Sequence, residues 1–195
     1  MTTLRASDCA VVLIDLQVSS IAATSTRPPA QVGAAAGALV DLAELWELPL
    51  LITSGRKPGP GAALINELAA AATRCTVVER TTVDAFDTPE FADAVDGLRR
   101  STLLMAGVAL DIGVTSAALS ARGRGHEIYV VAEACSTTDT LAQATALSRL
   151  QAAGVHWIGF AALSLELMRD FSAPRAAATL ALVQRINPNH TEAHP

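Results

Sequence analysis

At 195 residues, 51% of them hydrophobic and 17% charged, the chain can bury one sizeable core and is too apolar and too weakly charged to be disordered. Its net charge of −5, with a single lysine (Lys57) and no basic stripe, excludes a nucleic-acid surface, which needs clustered Lys and Arg. Apolar runs are strand-sized and interrupted, so no membrane span is expected. The N-terminal residues lack the layout of a signal peptide, which makes the cytoplasm the expected location.

Six strands are predicted in chain order: Ala10–Asp15, Leu48–Thr53, Thr76–Glu79, Thr102–Gly107, Glu127–Ala132 and Val155–Ile158. They are short, apolar and rich in Val, Ile and Leu, as strands covered on both faces must be. Helical patterns fall between them, near Pro29–Glu47, Gly61–Ala72, Pro89–Leu98, Ile112–Arg122 and Ala142–Ala153. Asp87-Thr88-Pro89-Glu90 starts a helix well, with proline in the first turn and acids at the positive end of the dipole. Gly123, Gly125 and Gly154 stand where helices should stop. Residues Ala161–Ile186 read as two further helices broken at Pro174, and 187–195 as a frayed tail. Strand and helix alternate throughout, which predicts a three-layer Rossmann-like α/β fold. A six-stranded parallel sheet carries helices on both faces, in a single domain spanning 1–195.

The residues able to carry chemistry sit at the carboxyl ends of these strands, where open α/β sheets bind ligands. Asp15 ends the first strand. A carboxyl group there is partly desolvated, which suits it to acid–base work, and it is equally suited to capping a helix or pairing with an arginine. Gln17 follows on the same side, ready to hydrogen-bond a substrate or tie down a loop. Arg80 leaves the third strand at the same edge, and its planar fork fits a substrate carboxylate or Asp15 itself. Phe86 suits an apolar pocket wall or the core. The loop Thr53–Gly61 brings Arg56 and Lys57 to this edge, without the spacing of a phosphate loop. No dinucleotide fingerprint follows the first strand, so no cofactor is expected.

Cys9, Cys75 and Cys135 form no metal-ligand spacing, and each adjoins a strand, where buried free cysteine is common. Cys135 alone retains a minor reading as a displaced nucleophile. His126 and His156 begin strands at the opposite edge, and His190 and His194 lie in the tail. Neither a catalytic metal nor a Ser-His-Asp triad is therefore expected.

Four segments carry a resemblance in matching order. Ile14-Asp15-Leu16-Gln17, Arg80 to Phe86, Ala106-Gly107-Val108-Ala109 and Val131-Ala132-Glu133-Ala134 resemble those of the isochorismatase-like hydrolases. Leu167-Met168-Arg169-Asp170-Phe171 is similar to the C-terminal helix of a bacterial branch of unassigned hydrolases, some octameric. The resemblance implies a catalytic trio at Asp15, Arg80 and Gly113, in place of the family's acid, lysine and cysteine. It also implies a cis bond between Val108 and Ala109, which helps aim the N–H groups of Ala109 and Gly113 at an oxyanion. Gln17, Phe86, Val108, Ala109 and Asp111 are implied as substrate-binding residues. It implies too a homo-oligomer, a dimer or larger, that acts on a small molecule.

Gly113 removes the nucleophile and closes the acyl-enzyme route through this position. True isochorismatases also carry glycine there, and protonate a vinyl ether instead of attacking it. The turn Val108-Ala109-Leu110-Asp111 lacks the histidine and large aromatic that those enzymes place before the glycine. Three readings follow: a hydrolase of a small carboxylated metabolite with Asp15 as general acid on an enol ether; a silent family member that binds a small acid or serves assembly; and an amidohydrolase using Cys135 or activated water.

Overall fold

The computed structural model describes residues 4–187. Its six strands are β1 Cys9–Ile14, β2 Leu50–Gly55, β3 Thr76–Arg80, β4 Thr102–Val108, β5 Glu127–Ser136 and β6 His156–Ile158. They form one parallel sheet in the order β3-β2-β1-β4-β5-β6. β1 and β4 at its centre are buried at every position, which is why their sequences are apolar throughout rather than alternating.

The helices are α1 Val18–Ala22, α2 Pro29–Leu45, α3 Asn66–Ala72, α4 Pro89–Gly97, α5 Thr115–Gly123, α6 Thr140–Ala152, α7 Phe160–Met168 and α8 Ala176–Ile186. The chain steps outward from β1 to β2 and β3, then crosses to β4 and continues the other way to β5 and β6. Because such crossovers are right-handed, reversing the direction moves the connecting helices to the opposite face. Accordingly, α2 packs on β1 and β5 together with α3, α7 and α8, while α4, α5 and α6 cover the other face. The expected three layers are present. The reversal falls between β1 and β4, and it is at the carboxyl ends of such a pair that open α/β sheets bind ligands.

Several boundaries differ from expectation for local reasons. α2 stops at Leu45 because Glu47 turns left-handed (φ 55°). There the Leu48 and Glu47 amides bond back to the Ala43 and Glu44 carbonyls at 2.8 and 3.3 Å, a Schellman closure without glycine. Leu48 thus belongs to the helix end, and β2 begins two residues later, at Leu50. The helix expected from Gly61 begins at Asn66, since Leu64 pairs with Gln17 as an isolated bridge. β5 runs past Ala132 to Ser136, and its register against β4 shifts between Met105 and Gly107. That irregularity delivers Glu133 to the start of α7, where it accepts the Phe160 amide at 2.8 Å. The short helix α1 was not expected. The expected frayed tail falls, past Asn187, outside the described residues, as do His190 and His194.

Candidate active site

Three strands, β1, β3 and β4, end at one place, and each supplies one feature of the site. After β1, Asp15 adopts a left-handed backbone (φ 52°), and its amide still bonds the Thr53 carbonyl at 2.9 Å. This bend aims its carboxylate across the ends of β2 and β3. There Oδ1 accepts the Gly55 amide at 2.7 Å, and Oδ2 accepts from Arg80 Nη2. Arg80 is the last residue of β3 and pairs in register with Gly55. The other guanidinium nitrogen, Nη1, donates to the Thr82 carbonyl. The Asp15 side chain is 17% exposed and that of Arg80 3%, so the pair is nearly dry, and removing either partner would strand a charge.

After β4 the peptide Val108–Ala109 is cis, and the chain enters a five-residue π-type turn, Leu110–Val114, before α5. The Ala109 carbonyl accepts the amides of Ile112 and Val114 at 3.2 and 3.4 Å, and Thr115 Oγ1 donates to the Leu110 carbonyl at 2.6 Å. The turn presents buried Gly113 to the ion pair. A Cβ on Gly113 would stand 3.0 Å from Asp15 Oδ2, 3.5 Å from Ile14 Cγ2 and 3.6 Å from Arg80 Nη2. Asp15, Arg80 and Gly113 therefore converge as one constellation. Val108 is buried beneath the turn, and Ala109 is half-buried. Asp111 Oδ1 is buried without a hydrogen-bond partner among the described residues, as are Arg80 Nε and Gln17 Oε1.

Gln17 is 1% exposed. Its Nε2 donates to the Gly55 and Ala62 carbonyls at 2.9 and 2.6 Å. Two carbonyl partners fix which end is nitrogen, so Oε1 is the free end. Phe86 stands apart: buried, it packs edge-on against Phe91 at 5.1 Å, beneath the Arg124 guanidinium. Asp84 holds that segment by accepting the Phe86 amide at 2.9 Å.

Some features of the site were invisible in the sequence. Gly55 supplies an amide to Asp15, and Thr82 a carbonyl to Arg80. Lys57 Nζ donates to Ser20 Oγ at 2.6 Å, a contact between the loop after β2 and α1 that no local pattern announces. Arg56 turns outward to Glu79, 3.7 Å away.

Cys135 is 4% exposed, and burial pushes its thiol up to about 12. It is therefore held as the unreactive thiol rather than the nucleophilic thiolate. His156 stacks on Tyr129 and faces Glu127 at 3.5 Å, far from this edge. Among the described residues no three His, Cys, Asp or Glu side chains are grouped to hold a metal ion. No described helix is long and apolar enough to cross a membrane.

The isochorismatase domain model matches residues 9–162. The chain belongs to the isochorismatase family. It is thereby a hydrolase-type enzyme of the cysteine-hydrolase superfamily. Within the family, it is 30% identical over 166 residues to the probable hydrolase YcaC of Escherichia coli, covering 85% of this chain and 80% of that one. The crystal structure of the Escherichia coli YcaC product, an octameric hydrolase of unknown specificity, superposes with a TM-score of 0.90 at 28% identity. It covers 97% of this chain and 93% of that one. The Pseudomonas aeruginosa YcaC, with hexane-2,5-diol and covalent acrylamide, gives 0.89 at 26% identity over 96% and 93% of the two chains.

Proposed function

We propose that this isochorismatase-family member hydrolyses a small carboxylated metabolite without a covalent nucleophile, by acid-catalysed cleavage of a vinyl ether with Asp15 as general acid. The observation that carries this reading is the space at Gly113. Where a cysteine side chain would stand, the carboxylate and the guanidinium lie 3.0 and 3.6 Å from an absent Cβ, so the reacting carbon can approach the acid directly.

Chemistry on an enolpyruvyl ether then runs as follows. The substrate carboxylate draws Arg80 from Asp15, and Asp15 takes up a proton in exchange for the lost cation, so the local charge is conserved. Asp15 delivers that proton to the terminal methylene carbon. The resulting oxocarbenium ion is stabilised by the adjacent ether oxygen and trapped by water, whose proton returns to Asp15. The hemiketal collapses to an alcohol and pyruvate, and one water is consumed. Substrate contacts are assigned to Gln17, Asp111 and the turn at Val108 and Ala109, with the amides of Ala109 and Gly113 facing the alcohol oxygen that gains negative charge as it departs from the hemiketal. No cofactor enters the scheme. The same reading makes the protein a homo-oligomer located in the cytoplasm.

The test is pyruvate release from isochorismate and simpler enolpyruvyl ethers, by wild type and Asp15→Asn. Wild-type turnover should resist thiol reagents. Asp15→Asn should lower it by about 10²–10⁴-fold. Equal turnover by the two proteins would overturn the mechanism. No release from any such ether would shift the assignment to a small-acid binder that has lost catalysis.

A further inference from the structure

Beside the ion pair lies a second group of polar atoms, for which the proposed chemistry names no particular substrate group. Around the position that a Cβ on Gly55 would occupy, Asp15 Oδ1 and Lys57 Cε each lie 3.7 Å away, and Gln17 Oε1 lies 3.8 Å away. Gln17 Oε1 is a buried acceptor with no donor among the described residues. Its amide cannot rotate to find one, because Nε2 is committed to two carbonyls. A buried acceptor left unpaired is costly and calls for a donor. Lys57, the only lysine in the chain, ends one bond beyond Cε. Its ammonium rests on a neutral hydroxyl, Ser20 Oγ, at 2.6 Å. Arg80 is held by Asp15 and Thr82 and is the cation the reacting carboxylate engages, so Lys57 is the cation beside it that can turn to a second carboxylate without breaking an ion pair.

We infer that Gln17, Lys57 and the bare backbone of Gly55 form a specificity subsite beside Asp15, built for a small hydroxycarboxylate end of the substrate. The hydroxyl donates to Gln17 Oε1, and the carboxylate, two or three bonds away, takes the Lys57 ammonium as it leaves Ser20. Gly55 matters because it has no side chain: a methyl there would touch all three groups and obstruct a ligand reaching them. The backbone of Gly55 lies outside the left-handed region, and all three neighbours of its Cβ position are at ordinary contact distance. Alanine therefore fits without refolding.

This subsite rests on the same site as the proposed reaction but is tested by binding, so the two can fail separately. Calorimetric titration would compare malate with succinate, and lactate with propionate, on wild type, Gly55→Ala, Lys57→Met and Asp15→Asn, with thermal melts as the folding control. Wild type should bind each hydroxy acid about fivefold more tightly than its deoxy partner, the worth of one hydrogen bond. Gly55→Ala should erase that preference with its melt unchanged. Lys57→Met should weaken both acids of a pair alike, by about fivefold or more. Asp15→Asn should keep the hydroxyl preference whatever it does to turnover. Equal binding of hydroxy and deoxy acids by wild type, an unaltered preference in Gly55→Ala, or undiminished binding by Lys57→Met would each overturn the subsite. Absence of measurable binding by all four acids would overturn it as well.

Discussion

At the scale of single residues, the site is organised around the side chain that Gly113 lacks. Asp15 Oδ2 is held by Arg80 and Oδ1 by the Gly55 amide, so the carboxylate has little freedom to step back. A methyl on Gly113 would meet Oδ2 at 3.0 Å, closer than ordinary carbon–oxygen contact. Gly113→Ala should therefore cost about 1–3 kcal/mol, lowering Tm by roughly 3–10 °C, and should slow turnover by displacing the acid. An unchanged melting curve would mean that the ion pair yields freely. Asp15 could be singled out in the sequence because it is a charge closing an apolar strand, and Arg80 because it follows the third predicted strand directly, so that both fall at the carboxyl edge of the sheet. Ser20 and Lys57 could not be paired in advance, since 37 residues separate them and only the packing of α1 against the loop after β2 joins them. Phe86 was ambiguous for a related reason: an aromatic residue two positions from Asp84 reads alike as a pocket wall or as core until Phe91 and Arg124 are seen around it.

At the scale of elements, what positions the site is the closeness of β1 and β4. Gly107 pairs with Ile14 in register and has φ +147°, a backbone that side chains rarely adopt. A Cβ there would lie 1.9 Å from the Ile14 carbonyl oxygen. Backbone cannot move aside as a flexible side chain can, so Gly107→Ala must part the two strands that carry Asp15 and the Gly113 turn. A loss of more than about 4 kcal/mol is expected, read as a large drop in the urea midpoint or as failure to fold. A midpoint close to wild type would show that the central pair has slack. Strands proved easier to read than their ends. The apolar runs at 10–15 and 102–107 locate β1 and β4 directly, because burial on both faces leaves no polar position. The extension of β5 to Ser136 was hidden: a register shift opposite Met105 and Gly107 depends on the partner strand, and Glu133, polar within an apolar run, reads as a strand end until its bond to Phe160 is known. The start of α5 was similarly blurred by the π-type turn, whose sequence Leu110-Asp111-Ile112-Gly113-Val114 looks like any first helical turn.

At the scale of the whole molecule, the sheet order places the chemistry and the surface around it indicates what surrounds the site. Alternating strands and helices made the parallel sheet and its two helical faces legible, whereas surface assembly leaves no periodic signal in the sequence. Two clefts, of about 580 and 460 Å³, lie elsewhere. One is lined by residues such as Glu44, Arg74 and Cys75, the other by Tyr129, His156 and Trp157. Around the carboxyl edge, by contrast, large apolar side chains are exposed after four of the strands. Val18 follows β1, Val83 follows β3, Ile112 lies in the turn after β4, and Leu141 lies in the first turn of α6, after β5. Exposed apolar side chains gathered about a site mark a contact surface, and the Escherichia coli YcaC structure, alike over 97% of this chain, is octameric. The proposed homo-oligomer would seat a second copy of the chain on this rim. Light scattering should return a multiple of the 20.2 kDa chain mass. Leu141→Asp combined with Val83→Asp should shift the protein toward smaller species and lower turnover together, since a copy seated on the rim would also keep water from the Asp15–Arg80 pair. A wild type that runs as a monomer, or a double variant with unaltered mass, would show that the rim is not the assembly surface.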